Sequence, residues 1–205
     1  MGRHETSIPV SALATGCIPT DRIHDSGLAP GPYTPYSLEH MSENTSILVL
    51  GVGNILYTDE GIGVRAVERL SAGYTFTPNV RLMDGGTLGM RLMDAIMDCD
   101  RLIVVDAVLG GDEPGAVYRL TGEDLRKSLG FNDSMHQTDL VDTLIFCELA
   151  GHRPDAVVIG MEPQDYQTLC PEVSARSAER MPLLCDAVLK EIRDAGGDWT
   201  TVPSD

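Results

Sequence analysis

Basic residues are scarce in this chain. Lys and Arg number 15 against 31 Asp and Glu, a formal net charge of −16 over 205 residues. Phosphate backbones are gripped by clustered Lys and Arg, so no nucleic-acid partner is expected. Long apolar runs are missing too. None approaches the ~18 residues that cross a bilayer, so no membrane partner is expected either. The N-terminus has neither an apolar stretch of signal-peptide type nor twin arginines, and a cytoplasmic location is expected. The five cysteines, at 17, 99, 147, 170 and 185, include no C-x-x-C pair, and an odd number cannot all be joined internally. That excludes a disulfide scaffold and a zinc knuckle. Cys99, Cys147 and Cys185 lie among apolar residues and read as small core residues.

Nucleotide signatures are incomplete. A glycine-rich turn follows the first apolar run, Ile47 to Leu50, but Leu56 stands where G-x-G-x-x-G needs its third glycine. Asp59 and Glu60 then add negative charge where a pyrophosphate would sit. There is no G-x-x-x-x-G-K-[ST], no H-E-x-x-H and no visible Ser-His-Asp arrangement. No nucleotide cofactor is expected.

What is present is an ordinary globular composition, 42% hydrophobic, in a chain long enough for one domain with a sizeable core. Residues 1–44 hold five of the 12 prolines and keep no period of helix or strand. They read as a disordered or loosely packed extension, dispensable to about residue 40. From Ser46 the pattern becomes regular. Strands are expected at Ile47–Val52, Val80–Met83, Arg101–Asp106 and Ala156–Gly160, the last of them. An edge strand is expected at Ala116–Leu120 after the Pro114-Gly115 turn. Helices are expected over Glu60–Leu70, Leu88–Met97, from about His136 through Cys147, and around Met181–Ile192, where Pro182 starts or kinks the helix. Alternating strands and helices predict an α/β fold, a mostly parallel sheet between helical layers, over residues 45–197. Residues 198–205 are read as a flexible C-terminal tail.

In such sheets ligands bind beyond the carboxyl ends of the strands. The first strand leads to Asp59 and Glu60, the second to Asp84, the third to Asp106. His136, in "SMHQ", stands at a helix start. Asp59 and Glu60 either complement a helix dipole, worth ~0.3–1 kcal/mol, or aim a carboxylate at a ligand. Asp84 before Gly85-Gly86-Thr87 either steadies a turn or meets a substrate. Asp106, directly after Ile-Val-Val, risks burial, which is costly without a partner. If Glu60, Asp106 and His136 converge, they form an N/O ligand set for a divalent transition ion with open positions.

Five motifs occur in order: "GVGNILYTDEGIGV", "DGGTLG", "VVDAVLGGDEPGAVYRL", "SMHQTDL" and "GMEP". Together they closely resemble the nickel–iron hydrogenase maturation endopeptidases, over about residues 46 to 195. The resemblance implies a three-layer α/β/α sandwich around a twisted, mostly parallel sheet. It implies removal of a short C-terminal peptide from the hydrogenase large-subunit precursor after nickel insertion. The family's metal-contacting residues fall on Glu60, Asp106 and His136, which are also the candidate catalytic residues; its substrate loop falls on Asp84, Gly85, Gly86 and Thr87. Two mechanisms are open: a resident metal that polarises the scissile carbonyl, or side chains that grip nickel already in the precursor. The second is preferred as the recognition step. The alternative function is a nickel-sensing chaperone of the immature subunit that does not cut it.

Overall fold

The computed structural model describes residues 45–87, 89–122 and 135–203; at 89 and 135–141 it describes the backbone. The expected extension at 1–44 lies outside the described residues.

Strand β1 (Ile47–Val52) is buried along its whole length. Its alternate side chains serve two cores. Ile47 and Val49 join one apolar cluster, Leu48 and Leu50 the other. The same division runs through β4 (Arg101–Ala107), where Ile103 and Val105 face one side and Leu102 and Val104 the other. This is why these strands read as unbroken apolar runs: helices cover both faces. Helix α1 (Ile62–Gly73) lays Ala66, Val67 and Leu70 on the first face. There α4 (Ala175–Asp194) adds Leu184, Val188 and Ile192. The second face is covered by α2 (Met93–Met97) through Ile96 and by α3 (Met135–Leu149) through Leu144 and Cys147. The expected three layers are present.

The main sheet also contains β3 (Val80–Gly86), β5 (Val117–Thr121) and β6 (Asp155–Met161), in the order β3-β1-β4-β6-β5. All pairs are parallel except β5 against β6, the expected antiparallel edge. From β1 the chain moves outward to β3, then returns to the other side of β1 as β4. The direction of winding therefore reverses beside β1. The carboxyl ends of β1 and β4 are thus the switch point of the sheet, the place where such sheets bind ligands.

Several expectations are corrected. Residues 198–205 are not simply a tail: β7 (Trp199–Thr201) pairs antiparallel with β2 (Tyr74–Phe76) in a separate two-stranded sheet. Tyr74 meets Trp199 edge-on with ring centroids 6.5 Å apart, and the Arg193 guanidinium lies 4.0 Å from the Trp199 ring centre. Accordingly β6 is not the last strand. Pro182 does not start α4. Ser174 caps that helix, its side chain accepting from the Ser177 N–H at 3.2 Å, and Pro182 sits inside it. The helix expected at Leu88–Met97 is a 3-10 turn, Gly89–Leu92, followed by the short α2. The three cysteines assigned to the core, Cys99, Cys147 and Cys185, are all buried. Burial pushes the thiols of Cys99 and Cys185 up to about 11, so they stay protonated and inert near neutral pH. No helix among the described residues is long and apolar enough to cross a membrane.

Candidate functional site

Glycines decide how the first strand leaves the sheet. Gly53 has φ +126°, and a Cβ there would stand 1.9 Å from the Glu60 carbonyl oxygen. A side chain at this point is excluded twice, by conformation and by space. The chain then loops outward and returns as a 3-10 turn, Asp59–Gly61, that opens into α1. Gly63 lets α1 press onto the sheet: a Cβ there would lie 2.0 Å from the Val105 carbonyl oxygen and 2.5 Å from that of Val52. The start of α1 is thereby seated over the carboxyl ends of β1 and β4, next in sequence to Asp106.

The turn that carries Glu60 and the end of β4 that carries Asp106 are therefore neighbours at this switch point, Glu60 half-buried and Asp106 6% exposed. Asp106 Oδ1 accepts from the Ala107 N–H at 2.8 Å. The backbone of His136 is the second residue of α3, as expected; its side chain lies outside the described residues. Among the described residues no group of three or more His, Cys, Asp or Glu is close enough to hold a metal.

Asp84, Gly85 and Gly86 are the last residues of β3 rather than a free loop, and Thr87 follows as a turn. Asp84 is exposed, and its Oδ1 accepts from the Gly86 N–H at 2.9 Å. The Gly86 carbonyl in turn accepts from the Gly53 N–H at 2.9 Å. This segment thus stitches the end of β3 to the turn that carries the chain toward Glu60.

Asp59 does something that sequence reasoning missed. It is fully buried. Its Oδ2 accepts from the N–H groups of Gln164 and Asp165 at 2.8 and 3.1 Å and from the Ser174 hydroxyl at 2.8 Å; its Oδ1 accepts from the Ser174 N–H at 2.8 Å. The helix start that Asp59 supports is that of α4, through Ser174. Glu162, in "GMEP", was quoted without a role. It is 7% exposed, and its Oε2 accepts from the N–H groups of Gly110 and Gly111 at 2.7 and 3.0 Å and from the Tyr118 hydroxyl at 2.6 Å. Burial, then the hydrogen bond and charge of Glu162, push the Tyr118 phenol well above its usual range. Its position at the end of β6 was the available signal, since the same rule had picked out Asp106.

A doubly wound sheet with Asp106 and Glu162 at or just after its strand ends, and no complete phosphate-binding turn, defines an α/β protein of the class that binds ligands at a switch point. Comparisons narrow the class. A family model described as hydrogenase maturation protease matches residues 64–191. The hydrogenase expression/formation protein HupD of Rhizobium leguminosarum bv. viciae is 36% identical over 159 residues, covering 77% of this chain and 79% of that one. The hydrogenase 2 maturation protease of Escherichia coli K12 is 36% identical over 155 residues, covering 73% and 92%. Among solved structures, the hydrogenase maturating endopeptidase HybD from E. coli superposes with TM-score 0.73 at 33% identity, covering 77% of this chain and 98% of that one. The chain belongs to the hydrogenase maturation protease family. Its activity class is peptidase, which sets aside the non-catalytic chaperone.

Proposed function

We propose that this chain is a cytoplasmic endopeptidase that removes the C-terminal extension of a nickel–iron hydrogenase large-subunit precursor, and that it recognises the nickel already inserted there. Glu60, Asp106 and His136 complete the coordination of that ion. The nickel belongs to the substrate, and docking it orients the bond to be cut. Hydrolysis adds water across that bond, leaving a carboxylate on the mature subunit and an amine on the released peptide.

One observation carries this reading: the contact of Gly63 with the Val105 carbonyl, which seats the Glu60 turn over the end of β4 beside Asp106. Two carboxylates reaching one switch-point crevice supply negative charge for a cation, and as hard oxygen donors they supplement thiolates that a partner provides. The test uses one precursor preparation, with and without nickel, and metal-stripped enzyme. The nickel-loaded precursor should lose the mass of its C-terminal peptide; the nickel-free precursor should not. Equal rates for both would return any metal to the enzyme. His136→Ala should abolish capture of the nickel-loaded precursor.

A further inference from the structure

Just ahead of the Glu60 turn the chain shows apolar side chains to solvent. Ile55 and Tyr57 are each 37% exposed and Leu56 is 58% exposed. Leu169, on the segment between β6 and α4, is 72% exposed. A single exposed apolar residue is ordinary. Here three are consecutive, Ile55 to Tyr57, and the fourth is tied to them. An antiparallel bridge joins Tyr57 to Leu169. The N–H and hydroxyl of Thr58 both donate to the Thr168 carbonyl, at 3.1 and 2.9 Å. The Asp59 N–H donates to the Asp165 carbonyl at 2.8 Å, and the Asp59 carboxylate gathers Gln164, Asp165 and Ser174. A fully buried carboxylate has been committed to holding an exposed apolar surface in place.

We propose that the ridge of Ile55, Leu56, Tyr57 and Leu169 is the surface on which an apolar face of the precursor docks beside its nickel, and that Asp59 is a positioning residue that joins its two segments. The inference rests on the reading that Glu60 meets the precursor. Distance then selects the occupant. Leu56 is four residues from Glu60, so at ~3.5 Å per residue their Cα atoms lie within about 14 Å. A stable interface covers about 800 Å² per partner, a disc of about 16 Å radius. Tyr57 is three residues from Glu60 and Leu169 is bridged to Tyr57, so a folded precursor centred on Glu60 is wide enough to reach all four. Apolar side chains there are matched by an apolar partner, because a polar one would lose its hydration without compensation.

The test is the double variant Leu56→Ser with Leu169→Ser. Both side chains are exposed, so the melting temperature should hold. Processing of nickel-loaded precursor, followed by mass loss, should show KM raised about tenfold with kcat nearly unchanged. Asp59→Asn should raise KM likewise and speed amide hydrogen exchange across 164–174; the same exchange with KM unchanged would remove Asp59 from the proposal. An unchanged KM in the double variant overturns the docking surface. So does gel filtration in which the wild type runs as a dimer and the double variant as a monomer with equal KM, which would give the ridge to a second copy of this chain. If the wild type cuts nickel-free precursor equally well while the double variant still shows the raised KM, the nickel reading falls and the docking surface stands.

Discussion

The two ends of the sheet handle carboxylates in opposite ways. At the amino end of β4 and β6, Glu191 of α4 is buried between two guanidinium groups. Arg101 donates to it at 3.1 Å and Arg119 at 2.6 Å, and Arg101 also pairs with Asp155. At the carboxyl end, Asp59, Asp84 and Glu162 accept from backbone N–H groups and hydroxyls. Both arrangements solvate a carboxylate. Only the arginines cancel its charge; peptide dipoles steady it and leave the net charge in place. One end is built as a neutralised joint; at the other, the carboxylates of Asp59, Asp84 and Glu162 are held by dipoles rather than by an ion pair. Helix α4 spans the two, with its Ser174 cap on Asp59 and its Glu191 on the arginines.

The sharpest way to break this contrast is Glu60→Gln. It removes the proposed nickel-facing charge at little cost in volume. The processing rate on nickel-loaded precursor should fall about a hundredfold, as when a metal contact or its partner is lost, while the melting temperature stays within a few degrees. A large loss of stability with an unchanged rate per folded molecule would move Glu60 to the structural side of the comparison.

The converse experiment is Glu191→Gln. It leaves the mostly buried Arg101 without its buried carboxylate. Breaking a buried pair from one side costs ~3–5 kcal/mol. Because Arg119 is 53% exposed and water screens it, about 2 kcal/mol is the expected loss. Urea unfolding should show it, with the processing rate per folded molecule unchanged. The pH dependence follows. Burial raises the Glu191 carboxyl, but Arg119 and then Arg101 outweigh burial and hold it below its ordinary value of 4.5. A depressed carboxylate contributes stability that is present above the unfolded value and lost as pH falls through the folded one. The stability gap between wild type and Glu191→Gln should therefore be full above pH 4.5 and close as pH falls below it. A gap that does not change with pH would show that packing, not charge, makes the joint.

What could be read in advance was local. β1 and the apolar centres of β4 and β6 are short apolar runs between turn signals, and the buried face of α1, Ala66, Val67 and Leu70, repeats at helical spacing. The positions of Glu60, in the turn before α1, and Asp106, near the end of β4, were legible because both are local to a strand or helix end. The missed features all depend on partners far along the chain. β2 and β7 have three residues each and pair across more than a hundred residues, so neither carries a pattern long enough to notice. Asp59 sits next to Glu60 in sequence, yet its oxygens are filled by residues 105 to 115 positions away. Nothing beside Asp59 in the sequence signals those partners.

The smallest expected effect is at Asp84, where the two sides of the comparison meet. Asp84 is exposed like a residue waiting for a partner, yet Oδ1 already accepts from the Gly86 N–H at 2.9 Å. Asn keeps an oxygen that can accept the same bond and loses only the charge. If Asp84 serves the turn alone, Asp84→Asn is silent in both stability and rate. If it also presents charge to the incoming substrate, processing should slow by about threefold, a surface-charge effect of under ~1 kcal/mol, while urea unfolding shifts by less than ~0.5 kcal/mol. Raising the salt concentration should then narrow the difference in rate, since exposed charges are screened within about 10 Å at 0.1 M. A slowing that persists at high salt would reject a charge effect at Asp84. A parallel fall in rate and stability would assign Asp84 wholly to the stitch between Gly86 and Gly53, and narrow the proposed substrate contacts at this end to Glu60 and Asp106.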